Sequence, residues 1–161
     1  MNTGIRTDRI EAVRDRVSII LEQVSDGSVR ADGYVHIFGV AQSCAMIALR
    51  RGENVELSVI AGYLHDIATY STGISQEHAR RGSEMARQIL RSMDLFSKEE
   101  TDKICTAILL HSDKRTVHGA LDEVLKDADV MQHCMFDPGY VSKKEKERFE
   151  KLCREFGLGS L

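Results

Sequence analysis

Proline and tryptophan are scarce: one proline, Pro138, and no tryptophan occur among the 161 residues. Proline interrupts helix interiors, so its scarcity permits long helices. Apolar residues recur at helical spacing over most of the chain, and no alternating strand pattern of useful length occurs. Hydrophobic residues make up 42% of the sequence, which excludes a largely disordered chain. We therefore predict an all-α fold of about six or seven helices, in a single domain over residues 1–161.

The sequence also has no strong excess of one charge and no long apolar run. Its 22 lysines and arginines against 25 aspartates and glutamates give a formal net charge of −3, which disfavours nucleic-acid binding. No apolar run reaches the ~18 residues of a membrane span, and the charged start MNTGIRTDRI lacks the apolar core of a signal peptide. We expect a cytoplasmic protein without nucleic-acid or membrane partners, and by default a homodimer.

The four cysteines form no CxxC pair, which excludes a zinc knuckle and a dithiol redox motif. They stand far apart in the chain, at Cys44, Cys105, Cys134 and Cys153. We expect them to be reduced core residues.

Helix-start and helix-stop residues predict where the elements lie. Capping-box spacing occurs in three pairs: Asp8 with Glu11, Ser97 with Glu100, and Ser142 with Glu145. Gly52 and Gly157 have the positions of C-terminal caps. The predicted helices cover about 8–25, 34–51, 55–68, 78–93, 97–111, 121–136 and 142–156, with loops at 25–33 (SDGSVRADG) and 70–76.

Two aspartates interrupt helical segments that are otherwise apolar. Asp66 lies in GYLHDIA and Asp129 lies in LKDADVM. Burying an ionised carboxylate is costly unless it is paired, and two such groups would repel each other. A divalent metal between them would turn this repulsion into attraction.

Histidines fall on apolar helix faces as well. His65 precedes Asp66 directly, and His36, His78 and His111 each share a face with apolar residues. One such histidine is usually a hydrogen-bonded core residue, but four of them together with two intruding aspartates favour a shared metal site. We interpret His118 as a loop residue and His133 as a pocket-wall group near the ligands.

These residues resemble the H…HD…D signature of the HD-domain metal-dependent phosphohydrolases, an all-helical superfamily. The resembling region spans about residues 34–136 and carries the texts YVHIFGVAQ, AGYLHDIATY and KDADVMQH. The resemblance implies an HD-domain-like helical bundle, on which helices 8–25 and 142–156 pack. It also implies that His36, His65, Asp66 and Asp129 bind a metal, with Asp127 a neighbour.

Some branches of the HD superfamily carry two more histidines, at places that correspond here to the segments EHARRGSEMA and AILLHSDK. The resemblance therefore implies that His78 and His111 bind a second metal, which Asp66 bridges. His78 could instead cap or line the pocket. The paired-histidine and GYP signatures of the cyclic-dinucleotide branch are absent, since Ser112 follows His111.

This ligand set predicts the chemistry. Imidazole and carboxylate donors suit Mn, Fe, Co, Ni or Zn, and one or two such ions would activate water for attack on phosphorus. We expect hydrolysis of a phosphate ester or anhydride in a nucleotide or another small phosphorylated metabolite. The alternatives are a metal- and nucleotide-binding sensor without turnover and, less favoured, a di-iron oxygenase.

Besides Asp66, the predicted catalytic residues are Lys114 and Asp113. Lys114 would bind substrate phosphate, and Asp113 could donate a proton to the leaving group if its surroundings raised its pKa. Further candidates for phosphate binding are Arg81 and, more weakly, Arg80 and Lys126.

Overall fold

The computed structural model describes residues 4–136 and 138–158 of the chain. Eight α-helices and one short 3₁₀ turn make up the regular structure of these residues, and they contain no strand. The helices are α1 (Thr7–Glu22), α2 (Gly27–Arg51), α3 (Val55–Leu64), α4 (Ile67–Thr72), α5 (His78–Met93), α6 (Lys98–Leu110), α7 (Ala120–Phe136) and α8 (Lys143–Glu155), and the 3₁₀ turn is Pro138–Tyr140. The all-α fold is confirmed.

Helix α3 lies at the centre of the bundle, against α2 and α7. It is predominantly apolar, and each of its residues from Glu56 to Leu64 is buried, so it can face neighbours on all sides. Helices α5 and α6 pack together as a pair, α1 lies on α3, and α8 lies on α7. The buried apolar side chains of these helices form one hydrophobic cluster.

Two glycines permit the closest helix approaches around α3. A Cβ atom on Gly62 would lie 2.7 Å from Ala41 Cα, so α2 and α3 could not approach as they do with a larger residue there. A Cβ atom on Gly82 of α5 would collide with the carbonyl oxygen of His65. Gly82 therefore allows α5 to rest directly on the turn that carries the His65–Asp66 doublet.

The predicted capping boxes have different outcomes. Those of Ser97 with Glu100 and Ser142 with Glu145 are present, each with both reciprocal hydrogen bonds. The predicted box at Asp8 is wrong, because α1 begins at Thr7 and the Asp8 carboxylate pairs with Arg6. Both cap glycines are confirmed in the left-handed conformation, Gly52 at φ 69° and Gly157 at φ 73°.

The loop predicted over residues 25–33 is wrong for most of its length. Helix α2 already begins at Gly27, because the Asp26 side chain accepts hydrogen bonds from the backbone N–H groups of Ser28 and Val29. The additional turns bring Gly33 against Leu21 and Tyr70, where side-chain space is already filled.

The helix predicted over residues 55–68 is interrupted at the doublet. Helix α3 ends at Leu64, Asp66 has φ −116° and ψ 10°, and α4 continues from Ile67 to Thr72. The loop predicted from residue 70 therefore begins only at Gly73, which ends α4 with φ 69°. The interruption frees the Asp66 side chain from the periodicity of a continuous helix.

Three of the four cysteines, Cys44, Cys105 and Cys153, are buried, and Cys134 is partly buried; all four are free thiols, as predicted. Among the described residues, no helix is both long and apolar enough to cross a membrane.

Candidate metal centre

Four side chains from three parts of the chain converge beside the interrupted helix. His36 comes from the middle of α2, His65 and Asp66 from the junction of α3 and α4, and Asp129 from α7. His36 Nε2 lies 3.0 Å from His65 Nε2 and 3.5 Å from both Asp66 Oδ2 and Asp129 Oδ1. His65 Nε2 lies 3.6 Å from Asp66 Oδ2 and 3.8 Å from Asp129 Oδ1. Donors around an ion at ~2.0–2.2 Å can be at most about 4.4 Å apart, so each of these spacings lies within the reach of an ion. His36, His65 and Asp66 form one group of closely spaced ligand atoms, and Asp129 forms another with His36 and His133.

The far side of each imidazole is fixed by a hydrogen bond. His65 Nδ1 lies 2.8 Å from the Gly62 carbonyl oxygen, and His36 Nδ1 lies 2.8 Å from Gln132 Oε1. Since these oxygens accept hydrogen bonds, Nδ1 carries the proton and Nε2 presents its lone pair to the centre. Metal-binding histidines are oriented in this manner.

Among the described residues, two buried carboxylate oxygens of these aspartates have no hydrogen-bond partner. They are Asp66 Oδ1 and Asp129 Oδ1. A buried anion that lacks partners is strongly unfavourable, whereas divalent cations bound beside these two oxygens would satisfy them. The donors present therefore fit a metal ion.

A second group of donors meets Asp66 from its other oxygen. His111 Nε2 lies 3.7 Å from Asp66 Oδ1, and its Nδ1 donates to the Ile108 carbonyl oxygen at 2.6 Å. The ring centroids of His78 and His111 are 5.0 Å apart, and one ligand atom each from Asp66, His78 and His111 lies within 4.8 Å of the others. Thus Asp66 directs Oδ2 to His36 and His65, and Oδ1 to His111.

The surroundings set the protonation of these groups. Burial lowers the pKa of His65 to about 4 and also lowers the pKa of His111. Burial opposes protonation of His36 too, but Asp66 and Asp129 outweigh it and raise the pKa of that imidazole. Burial would raise the carboxylate pKa values, yet the pKa of Asp66 is lowered by the histidines around it, and that of Asp129 by Lys114 and the histidines. The centre thus combines ionised carboxylates with neutral His65 and His111, the forms that bind metal.

The family model of the HD domain matches residues 33–133, which is more than half of the chain. This chain belongs to the HD domain family. Binding of divalent metal is a property that this family implies, and the His/Asp clusters of the chain are able to hold an ion. The hypothesis that the chain is a member of the HD-domain superfamily is confirmed.

The chain is also similar to a crystal structure at 1.45 Å resolution, that of a predicted HD superfamily hydrolase from an uncultured Thermotogales bacterium. The two are 21% identical, the match covers 94% of this chain and 89% of that one, and the TM-score is 0.57. At this identity the likeness shows the HD fold. A search of curated protein sequences gave no significant match.

Of the predicted phosphate-binding residues of this HD domain, Lys114 lies in the centre. Its Nζ is 2.5 Å from Asp129 Oδ2, and its side chain is largely buried. Arg81 instead donates to Thr72 Oγ1 at 3.1 Å, at the end of α4. The structure brings Lys114 to the candidate metal ligands and shows Arg81 at the neighbouring helix end.

Two weaker candidates for phosphate binding are occupied elsewhere. Lys126 is fully buried, and its Nζ donates at 2.9 Å to both the Thr116 carbonyl oxygen and Glu123 Oε1, so the prediction that it binds phosphate is wrong. Arg80 is exposed and forms ion pairs with Glu77 and Glu84. The contacts of Lys126 with Thr116 and His118 connect α7 to the segment between α6 and α7, which carries Lys114.

The role of proton donor predicted for Asp113 is wrong. Its Oδ1 accepts hydrogen bonds from the backbone N–H groups of Thr116 and Arg115, at 3.2 Å each. Hydrogen bonding with Thr116 and with Arg115 lowers the pKa of Asp113 to about 2. A carboxylate with a lowered pKa is ionised at neutral pH and has no proton to give. Asp113 instead caps the turn after Lys114.

Asp127 and Asp129 have separate environments although they are two residues apart. The Asp127 carboxylate forms ion pairs with Arg51 and Arg148, each at a shortest N···O distance of 2.6–2.7 Å. The Asp129 carboxylate faces the histidines. This agrees with the choice of Asp129 as the ligand and Asp127 as a neighbour.

Two residues lie closer to the candidate metal centre than the sequence analysis predicted. His133 Nε2 lies 3.6 Å from Asp129 Oδ1, and the His133 ring stacks on His36 with centroids 5.1 Å apart. Tyr70, assigned only to a loop, has its ring centroid 6.0 Å from that of His36. The sequence signal for His133 was its i,i+4 spacing from Asp129, which places both residues on one helix face.

His118, predicted as a loop residue, lies between α6 and α7, where its ring contacts Lys126.

Proposed function

We propose that this HD protein is a metal-dependent phosphohydrolase that cleaves a phosphate ester or anhydride in a nucleotide or another small phosphorylated metabolite. The observation that carries this proposal is a pair of buried oxygens without a hydrogen-bond partner among the described residues. Asp129 Oδ1 lies beside His36 and His65, and Asp66 Oδ1 lies beside His111. Buried ligands with Lys114 beside them suit an anionic substrate that enters the centre.

The residues divide into two ligand sets that share one carboxylate. His36, His65, Asp66 and Asp129 would hold the first ion, as their pairwise contacts indicate. Asp66, His78 and His111 would hold the second. Mixed imidazole and carboxylate donors favour Mn, Fe, Co, Ni or Zn over magnesium. When bound, such an ion lowers the pKa of water and draws charge from phosphoryl oxygens.

The chain itself supplies orientation and charge. The hydrogen bonds of His65 and His36 at Nδ1 fix the direction of their donor atoms, which keeps the ligand geometry constant. The Lys114 ammonium group is held at the centre by Asp129 and provides positive charge for a non-bridging phosphate oxygen. The partners proposed are therefore small anions rather than nucleic acid or membrane.

The test is a hydrolysis panel. Chelator-treated protein is assayed with p-nitrophenyl phosphate and with nucleoside mono-, di- and triphosphates, with Mn²⁺, Fe²⁺, Co²⁺, Ni²⁺ or Zn²⁺ added. We expect metal-dependent release of phosphate or nitrophenol that is lost in Asp66→Ala and Asp129→Ala. Asp122→Ala removes a carboxylate from the start of α7, away from these ligands, and serves as the matched control.

The proposal would be contradicted if the protein hydrolysed none of the substrates of a broad panel with any of these metals. Thermal stabilisation by a nucleotide and metal without product would favour the sensor function instead. Oxygen consumption by the iron-loaded protein, without phosphate release, would favour oxygenase chemistry.

A further inference from the structure

His133 lies on the face of α7 that carries Asp129, one helical turn further along. Its Nε2 is 3.6 Å from Asp129 Oδ1, a separation too long for a hydrogen bond. Asp129 Oδ1 accordingly has no hydrogen-bond partner in the part of the chain that the structure describes. His133 Nε2 and Asp129 Oδ1 thus face each other without direct contact.

These two atoms belong to a ligand-like arrangement of three residues. One ligand atom each from His36, Asp129 and His133 lies within 4.8 Å of the others. The His36 and His133 rings are nearly parallel, with 21° between their planes. Two imidazole donors and a carboxylate oxygen at this spacing are compatible with one bound ion.

The other ring nitrogen of His133 is held by the C-terminal helix. His133 Nδ1 donates to Glu145 Oε1 at 3.1 Å, and Glu145 is also the third residue of α8, whose side chain completes the capping box of Ser142. A carboxylate that accepts from Nδ1 fixes the imidazole tautomer with its lone pair on Nε2. The Glu145 carboxylate thus binds one nitrogen of the His133 imidazole, and the other nitrogen faces the position of an ion. Histidine ligands of metal sites commonly have such a carboxylate partner.

We propose that His133 is a further ligand of the ion bound by His36 and Asp129, and that Glu145 is the residue that positions its imidazole. This ligand lies outside the H…HD…H…H…D set. It joins helix α8, which follows the matched HD region, to the metal centre. The side chain of His133 is 43% exposed, so this ligand stands at the solvent edge of the centre.

The experiment counts imidazole ligands directly. Chelator-treated protein is titrated with up to two equivalents of Co²⁺, and the exchangeable imidazole N–H protons shifted by the paramagnetic ion are recorded by proton NMR. Each histidine that binds through Nε2 and retains its Nδ1 proton contributes one such signal. We expect His133→Gln to lack one signal of the wild-type protein, and Co²⁺ affinity measured by chelator competition to fall about tenfold or more.

Glu145→Gln separates positioning from folding. Glutamine can keep the capping box at the start of α8, but it removes the carboxylate from His133. We expect the His133 N–H signal to broaden through faster solvent exchange, and Co²⁺ affinity to fall on the order of tenfold, within the range found for outer-shell partners of metal ligands. A merely structural role for Glu145 would change melting temperature without affecting one selected signal.

Met135→Gln, at an exposed position of the same helix, introduces the same residue and should leave signals and affinity unchanged. An unchanged number of shifted signals in His133→Gln, with unchanged Co²⁺ affinity, would overturn the inference while leaving the other ligands and the proposed hydrolysis intact. If the wild-type protein bound no Co²⁺ at all, the metal centre itself would be contradicted, and this inference with it.

Discussion

The ammonium group of Lys114 lies 2.5 Å from Oδ2 of Asp129, while Oδ1 of the same carboxylate faces the histidines and has no hydrogen-bond partner within residues 4–136 and 138–158. One oxygen is thus neutralised by the protein, and the other is left for a cation. Asp129 therefore connects the proposed metal ion to the only predicted phosphate-binding side chain that, among the described residues, reaches the ligands.

Lys114→Gln should reduce hydrolysis more than metal binding. Removal of a charged donor beside the transferred phosphoryl group costs on the order of 10²-fold in kcat/KM, whereas the imidazole and carboxylate ligands remain. Steady-state kinetics and Co²⁺ affinity measured on the same preparation check this. Lys103→Gln, at an exposed lysine paired with Glu99, is the control. Equal kcat/KM in Lys114→Gln and wild type would remove Lys114 from the mechanism.

Gly82→Ala should destabilise the protein and disturb the doublet turn. The added Cβ would collide with the His65 carbonyl oxygen, so α5 would have to move away from the ligands. Overpacking of this kind costs about 1–3 kcal/mol, measurable as the free energy of unfolding in urea. Gly27→Ala is the matched control, because its Cβ would meet only the end of Arg30 at 3.9 Å. Equal losses in both variants would show that the contact at His65 is unimportant.

Lys126→Met should loosen the segment between α6 and α7. The Lys126 ammonium group is buried and binds the Thr116 carbonyl oxygen and Glu123, so its loss leaves these acceptors with fewer partners. The loss of hydrogen bonds from a charged donor costs about 1–3 kcal/mol. We expect faster amide hydrogen exchange at residues 113–118 and a lower kcat/KM, because Lys114 lies in the same segment. Exchange that is unchanged there would contradict this role for Lys126.

Glu123 should contribute an acid-sensitive part of the stability. Burial alone would raise its pKa, but hydrogen bonds from Arg148 and Lys126 outweigh burial and lower the pKa of Glu123 to about 2. Because the folded pKa lies below the ordinary value of ~4.3, this contribution is present above about pH 4.3 and is lost as pH falls towards 2.

Urea unfolding between pH 7 and pH 3 tests that sign. The stability difference between wild type and Glu123→Gln should be largest at neutral pH and should shrink as the pH falls below about 4. Glu147→Gln, an exposed glutamate of α8, should show a smaller difference. A difference for Glu123→Gln that grows on acidification would contradict the prediction.

The sequence predicted best those elements whose boundaries depend on local hydrogen bonds. Helices α6 and α8 begin where expected, and Ser97 and Ser142 cap them because each cap involves residues only three positions apart. The beginning of α2 was missed because its first turns are polar and contain glycine, although Asp26 provides a side-chain cap. The Asp8 pattern had the spacing of a capping box, but the neighbouring Arg6 takes its carboxylate.

Features that depend on contacts between distant parts of the chain were harder to predict from the sequence. The break at His65 and Asp66 could not be seen because the apolar pattern continues from α3 into α4. The convergence of His36, the doublet and Asp129 was anticipated, since burying their polar groups required a common partner. The hydrogen-bond partners of Lys126 and Asp113 depend on the backbone path of the segment between α6 and α7, which residue spacing does not reveal.

The central claim is that separate helices of this HD domain enclose a metal ion, and anomalous diffraction from crystals grown with Mn²⁺ tests it most directly. The account predicts an anomalous difference peak between His36, His65, Asp66 and Asp129, and a second peak where Asp66 faces His78 and His111. Crystals of Asp66→Ala should lose both peaks. Well-ordered wild-type crystals with saturating Mn²⁺ and no peak among these side chains would contradict the account.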